Sequence, residues 1–347
     1  MKNHFIENLK FENFKCFQDL RVENIKGVNL ISGKNNVGKT AFLEGLDLIV
    51  SSNNCIDLAF NIHKMMKRRQ SNSQSNRYFE LDFIYDDNSN VELKLNNKLL
   101  KIQYTEELPE SIEDIFHEEN LLNKYQPSLK LTLNNEEKTF PIERILHMPA
   151  MTRRERHEMV KPKVNFITST TTDEREIAIY LGNLVDLNKE EFLNKSLRLF
   201  DENILSLKQK TTDIGVILKV AVKNRELPVL LSSLGEGINR YIAILCAIWA
   251  SKDGYLFIDE IENGIHYTNY RKLWKIVFEA SKMANCQIFI TTHSKECIAA
   301  FNEVNNEGDG SYFEFYRNKK TDLIVTKQRD KEQLEYALTH NGELRGE

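Results

Sequence analysis

Gly33-Lys34-Asn35-Asn36-Val37-Gly38-Lys39-Thr40, "GKNNVGKT", follows the apolar run "GVNLI" and precedes the helix-like "AFLEGLDLIV". A glycine-rich turn between a buried strand and a helix lets successive backbone N–H groups converge on phosphate oxygens, and the helix N-terminus adds a favourable dipole. The stretch matches the whole G-x-x-x-x-G-K-[ST] pattern. In that geometry Gly33 and Gly38 permit the tight backbone, Lys39 reaches the β- and γ-phosphates, and the Thr40 hydroxyl can ligate Mg²⁺. The candidate phosphate-binding residues are therefore Gly33, Lys34, Asn35, Asn36, Val37, Gly38, Lys39, Thr40 and Ala41. The loop says nucleotide without saying which machine.

Bulk properties narrow the class little. The chain has 347 residues, 41% hydrophobic and 28% charged, enough for a substantial core in one large or two modest domains. Its formal net charge of −4 provides no global basic field, so any DNA contact would need a local patch. The opening "MKNHFIENLKFENF" lacks an apolar signal region, and "YIAILCAIWA" is too short to span a bilayer, so a cytoplasmic protein without membrane partners is expected. Cys16, Cys55, Cys246, Cys286 and Cys297 form no C-x-x-C pair and read as small core residues in a reducing compartment.

Outward from the loop, residues 4 to 32 read as two short strands, "FIENLKFENF" and "GVNLIS", and the helix after the loop runs to about Ser52. The polar, basic stretch 64 to 77 reads as a mobile loop. Residues 78 to 140 alternate as antiparallel strands, with a short acidic helix near "ESIEDIFHEENLL". A basic connector, 151 to 163, leads to the strand "VNFITS". The spacing then predicts helix from Thr172 to about Gln209 with a break at Asp186-Leu187-Asn188, two short strands, and a helix from about Gly237.

Three further stretches carry chemistry. In "GYLFIDEIENGIH" (254 to 266) an apolar strand delivers two acids at its C-terminal edge, where ligands sit in parallel sheets. Asp259 would hold Mg²⁺ and Glu260 would orient and polarise the attacking water. In "QIFITTHS" (287 to 294) the next predicted strand ends at His293, which a helix at 267 to 284 would bring beside the acid pair by a right-handed crossover. In "LSSLGEGINRYIAIL" (231 to 245), Ser233, Gly235 and Gly237 begin a helix and form a second anion-binding end. One nucleotide does not need two phosphate cradles from the same chain.

Together these residues resemble the ATP-binding-cassette ATPases of the SMC, RecF and OLD (overcoming lysogenization defect) group. There "GKNNVGKT" looks like Walker A, "SLGE" (Ser233 to Glu236) like the signature, "YLFIDE" like Walker B and "TTHS" like the switch-histidine loop. The opening "LKFENFKCFQDL" resembles that group's first strand pair, which makes Lys15 and Phe17 candidates near the nucleotide. "DEIENGIH" and "SLGEGINR" are closest to compact prokaryotic ATPases of the OLD-like kind, many of which act in anti-phage defence or toxin-antitoxin systems beside a nuclease or other effector. Leu234 replaces the first glycine of the commoner signature, no clear glutamine marks the lobe-linking position near "NFITSTTTDER", and His266 stands where transporters carry an aspartate. The residues after His293 fit one helix, a hairpin and a closing helix, too few for the TOPRIM nuclease domain of OLD nucleases.

The resemblance implies an α/β ABC-ATPase head: a P-loop lobe over 1–60, an inserted antiparallel β-region and connector over 61–165, a helical subdomain over 166–230, and the remaining motifs with a C-terminal hairpin over 231–347. It implies a homodimer, or a higher oligomer of dimers, that binds two ATP-Mg²⁺ between subunits. Lys39 and Thr40 of one chain would face Ser233, Gly235, Glu236 and Gly237 of the other. Glu260 and His293 would serve hydrolysis, Thr40 and Asp259 the metal, and the output would control an effector protein, a nuclease or toxin, in trans. Two alternatives stand beside this: a RecF-like DNA-repair ATPase, supported by the basic stretches 64 to 69 and 153 to 163, and a monomeric P-loop GTPase or kinase. The GTPase lacks an Asn-Lys-x-Asp base-reading motif.

Overall fold

Alternation and near-continuous apolar runs separate two kinds of sheet. The computed structural model describes residues 5–70, 90–106, 127–148, 163–170, 173–213 and 215–340. Strands β3 (Val28–Gly33), β12 (Tyr255–Ile258) and β13 (Gln287–Thr292) are buried at every position, as strands covered on both faces must be. With β8 (Val164–Ile167), β14 (Gly310–Arg317) and β15 (Ile324–Arg329) they form a six-stranded sheet of order β15-β14-β3-β13-β12-β8. All its pairs are parallel except the β14–β15 hairpin.

The two faces of this sheet bury different cores. Val28, Leu30, Leu256, Ile258, Ile288 and Ile290 join one cluster with helices α4 (Glu174–Asp186), α5 (Glu190–Phe200), α6 (Glu236–Ala250), α7 (Tyr270–Ala284) and α8 (Lys295–Val304). Ile31, Phe257, Phe289 and Phe315 belong to the other, around α1 (Lys39–Ser51). Helix α1 lies between this sheet and a second, antiparallel one, and so is buried almost all round.

The second sheet has the order β2-β1-β4-β5-β6-β7, from β1 (Leu9–Phe14), β2 (Phe17–Val22), β4 (Val91–Leu95), β5 (Lys98–Thr105), β6 (Ser128–Leu133) and β7 (Glu136–Pro141). The antiparallel strands after the P-loop unit are thus joined edge to edge with the N-terminal hairpin, through β1 and β4. The short helix α3 (Ile142–Leu146) follows β7. A third, three-stranded sheet, β11-β10-β9, comprises β9 (Ile204–Thr212), β10 (Gly215–Val222) and β11 (Val229–Leu230), and α4 and α5 pack on it. Helix α9 (Lys331–Thr339) closes the described chain behind an Asp330 capping box.

Three expectations from the sequence need correction. The opening holds three strands, because Phe17–Val22 pairs back on β1 through a turn in which Asn13 and Lys15 take positive φ of 52° and 52°. Residues 64 to 69 are the last turns of helix α2 (Cys55–Arg69), where Arg68 and Arg69 bond Asp47 and Glu44 of α1. Helix also ends at Phe200, since Ile204–Gln209 pairs with β10. The strand expected at 78 to 87, the acidic helix near 110 to 122 and most of the connector at 151 to 163 lie outside the described residues. Cys55, Cys246, Cys286 and Cys297 are buried thiols and Cys16 is half-buried. Among the described residues no helix is long and apolar enough to cross a membrane.

Candidate active site

The glycines of the loop are dictated by what surrounds them. At Gly33, φ is +147° and a Cβ would sit 2.2 Å from the Phe315 carbonyl oxygen; at Gly38, φ is +82° and a Cβ would sit 2.4 Å from Cys16 Sγ. Any side chain there would collide with the neighbouring strand or the β1–β2 turn. Asn36 takes a φ of 63° between them, and Gly38 leads into α1, whose N-terminus has no side-chain cap. The first N–H groups of that helix are therefore available to an anion. Val37 and Ala41 are buried beneath the loop, while Lys34, Asn35 and Asn36 face solvent.

Lys39 is 6% exposed, and its Nζ donates to the carbonyls of Gly33 at 2.9 Å and Lys34 at 2.7 Å. Burial pushes its ammonium down to about 8, against the opposing attraction of Asp259, Glu260 and Glu262. A triphosphate would replace those carbonyl contacts with charge-assisted ones.

The acid pair stands beside the loop because β12 and β13 are neighbours. Asp259 accepts from Thr40 Oγ1 at 2.9 Å and Thr291 Oγ1 at 2.6 Å, and the Thr291 hydroxyl in turn receives the Glu260 N–H at 2.8 Å. Burial raises the Asp259 carboxyl above its ordinary range, with those two hydroxyl donors opposing the rise. A divalent cation beside it would relieve that cost. Among the described residues no group of three or more His, Cys, Asp or Glu side chains could hold a metal. One carboxylate and one hydroxyl fit Mg²⁺, which keeps several waters and takes phosphate oxygens.

Glu260 has a φ of 51°, a left-handed conformation uncommon outside glycine and asparagine. Its Oε2 accepts from Asn263 Nδ2 at 2.7 Å, and its Oε1 lies 3.5 Å from His293 Nε2. The His293 N–H donates to Glu262 Oε1 at 2.5 Å. Burial, then the nearby Lys39 charge, hold the His293 imidazole below the ordinary histidine range, with Glu260 and Asp259 pulling the other way. The ring is accordingly neutral at pH 7, able to donate from one nitrogen and accept at the other.

Lys39, Thr40, Asp259, Glu260 and His293 line one cleft of about 880 Å³ with Gly38, Asn35, Asn36 and Ala41. Lys15, Cys16 and Arg69 also line it, and Ser169 contributes from the loop after β8. Lys15 and Arg69 are both mounted on the buried Glu44, Lys15 at 2.5 Å and Arg69 through two bonds of 2.8 and 2.7 Å. Phe17 does not face the cleft. It is fully buried, packed edge-on to Phe315 at 6.1 Å, and braces Gly38 from behind.

Ser233, Gly235, Glu236 and Gly237 do not line this cleft. Ser233, Gly235 and Glu236 are exposed at the start of α6, whose N-terminus also lacks a side-chain cap. No atom lies within 4 Å of a Cβ built on Gly235, whereas one on Gly237 would meet the Gly264 carbonyl oxygen at 2.5 Å. The chain's own packing therefore requires glycine at 237 and leaves 235 unexplained. His266 is exposed too, its Nδ1 2.9 Å from Thr268 Oγ1.

Sequence reasoning passed over Arg69, Ser169, Arg240, Glu262, Asn263 and Thr291. Arg240, Glu262, Asn263 and Thr291 lay inside the motif stretches, but nothing in their local sequence marks the partners they hold. Arg69 and Ser169 reach the cleft through tertiary packing.

A family model described as "AAA domain, putative AbiEii toxin, Type IV TA system" matches residues 28–299, more than half of the chain. An "ATP/GTP phosphatase" of Helicobacter pylori is 27% identical over 398 residues, covering 98% of this chain and 100% of that protein. An uncharacterised protein of Methanocaldococcus jannaschii is 37% identical over 57 residues, 16% of this chain and 26% of its own length. Among solved structures, an SMC head bound to the C-winged helix domain of ScpA is similar over 96% of this chain and 99% of its own, with a TM-score of 0.53 and 13% identity. An SMC head with an extended coiled coil, bound to the C-terminal domain of ScpA derived from Pyrococcus furiosus, gives 0.50 at 12% identity, over 98% and 99% of the two chains. At these identities the likeness speaks for the fold, an SMC-type ABC-ATPase head.

Proposed function

Because the chain belongs to this AAA-domain family, whose description joins AbiEii toxin and type IV toxin-antitoxin systems, we propose that it is an ATPase that closes as a head-to-tail dimer around two ATP-Mg²⁺. In each shared site Lys39, Thr40 and the N-terminus of α1 from one chain cradle the phosphates. Ser233 and the N–H groups at Gly235, Glu236 and Gly237 of the other chain cap the γ-phosphate. Glu260, held by Asn263 and beside His293, polarises the attacking water, and the neutral imidazole donates toward the transferring phosphoryl group. Thr40 and Asp259 would hold Mg²⁺, whose charge offsets that building on the β- and γ-oxygens.

The observation that carries this reading is the exposed Gly235. It needs no glycine for its own chain's packing and lies outside that chain's cleft, as a surface awaiting a partner's phosphate would. The output we read for this chain is control of a nuclease or toxin in trans, in phage defence or a toxin-antitoxin pair; the family description, which names a toxin and a type IV toxin-antitoxin system, supports the second setting. The RecF-like alternative loses support at 64 to 69, where Arg68 and Arg69 are spent on Asp47 and Glu44.

The test mixes two dead variants. Lys39→Ala removes the phosphate contact of its own chain, and Gly235→Asp sets a carboxylate against the partner's γ-phosphate. Each alone is expected to be inactive. Their mixture rebuilds one intact site and is expected to recover ATP turnover or ATP-dependent dimerisation. A mixture that stays dead by both readouts, although subunits exchange, would overturn the shared site.

A further inference from the structure

Arg240 lies just beyond the first turn of α6 and is 4% exposed. Its guanidinium makes contacts in two directions. Nη2 donates to the carbonyls of Asp259 at 2.6 Å and Glu260 at 3.2 Å, and Nη1 to those of Thr168 and, at 3.4 Å, Thr170. A single planar fork thus joins the signature helix, the backbone of both site acids and the loop from which Ser169 reaches the nucleotide cleft.

A second contact ties the same elements. The absent side chain of Gly237 lets α6 approach the Gly264 carbonyl, and Gly264, at φ +73°, would itself meet Glu236 Cγ at 2.9 Å if it carried a Cβ. The start of α6 and the segment from Asp259 to Gly264 are therefore packed backbone to backbone. Glu260 sits within that segment in a left-handed conformation, which persists only where its surroundings over-determine it.

We propose that Arg240 is a positioning residue: it transmits engagement of its helix N-terminus at one nucleotide to the orientation of Glu260 at the other. This rests on the shared-site reading above, under which α6 touches the partner's nucleotide while Arg240 holds the acids serving its own chain's nucleotide. A shift of the helix on binding would move the Asp259 and Glu260 carbonyls and the loop at Ser169 as one body. Arginine suits the task because its rigid fork presents parallel donors to several carbonyls at once, whereas a lysine ammonium is a single point.

Arg240→Lys keeps the buried cation, and Arg240→Gln keeps a neutral donor; both are compared with wild type and in a Glu260→Gln background. Either substitution is expected to lower kcat by roughly ten- to a hundredfold, as small misplacements of catalytic groups do, with ATP affinity held within about threefold. Two coupled sites are expected to give wild type a Hill coefficient of ATP hydrolysis above about 1, and either substitution to bring it towards about 1. In the Glu260→Gln background ATP-dependent dimers still form. Unchanged kcat and cooperativity in both variants overturn the proposal. So does joint loss of nucleotide binding and dimerisation, which would make Arg240 a structural residue. If Glu260→Gln alone fails to dimerise with ATP, the shared-site reading falls and this inference falls with it.

Discussion

Lys39 shows how burial and chemistry meet in one side chain. Its ammonium, held down to about 8 by burial, is already charged in the protein below that pH, but above it the lysine must take up a proton to meet a triphosphate. Bound phosphate favours the charged form, so the sign is fixed: affinity is highest below pH 8 and falls above it, by up to about tenfold per pH unit. Titrating a fluorescent ATP analogue into the Glu260→Gln protein at pH 7, 8 and 9 measures this without turnover. A dissociation constant that stays level to pH 9 would sink the idea. That these motif residues share one cleft was legible because each has a fixed neighbour in sequence: a glycine at the turn, a lysine before the helix, an acid pair after an apolar strand. Asn263 and Thr291, which hold Glu260 and Asp259, escaped because nothing in a single sequence distinguishes a polar residue that orients an acid from one that caps a turn.

At the scale of elements, helix α1 is fastened to its surroundings by buried charge as well as by apolar packing. Glu44, with a side chain 3% exposed, receives Lys15 from the β1–β2 turn and Arg69 from α2, and Asp47 one turn later receives Arg68. The Arg68 guanidinium also stacks 4.1 Å from the Phe166 ring. Removing Glu44 leaves two cations near the cleft without their anion. Glu44→Ala is therefore expected to cost about 3–5 kcal/mol of stability, measured by urea denaturation. Arg21→Ala, at an exposed pair with Asp19 whose arginine side chain is 64% exposed, is expected to stay within about 1 kcal/mol. Equal effects would contradict the burial argument. The same pairs explain why 64 to 69 looked like a loop: a Lys/Arg run without local acids reads as solvated, yet its partners lie on α1, more than twenty residues upstream. The overlong helix had a different cause. "ILSLKQ" supports either period locally, and only pairing with β10 decides for strand.

For the whole molecule, the described residues after β13 form α8, the β14–β15 hairpin and α9, in line with the expected helix, hairpin and closing helix. The hairpin adds to the core sheet through β14 beside β3, and α9 packs on α8. Among the described residues no group of three or more His, Cys, Asp or Glu side chains could hold a metal. The purified chain is expected to hydrolyse ATP while leaving plasmid DNA and RNA intact in Mg²⁺ or Mn²⁺, judged by gel over the period in which many turnovers accumulate. Metal-dependent cleavage that survives Lys39→Ala would contradict an output delivered through a partner.

Local order in this chain is written in patterns that short-range physics reads directly. Apolar strands ending in polar residues, a glycine turn before a helix and a crossover-length helix between 258 and 287 sufficed to place Lys39, Asp259, Glu260 and His293 at one sheet edge. Whatever depended on a partner distant in sequence was decided by tertiary packing alone. The N-terminal hairpin became part of the antiparallel sheet because β1 found β4, some eighty residues away. Phe17 turned inward because Phe315 and Phe11 surround it, and Arg240 became the link between α6 and the acids because α6 lies against the segment that follows β12. Backbone carbonyls and buried counter-charges leave no periodic trace, so only the folded chain reveals which side chains meet them.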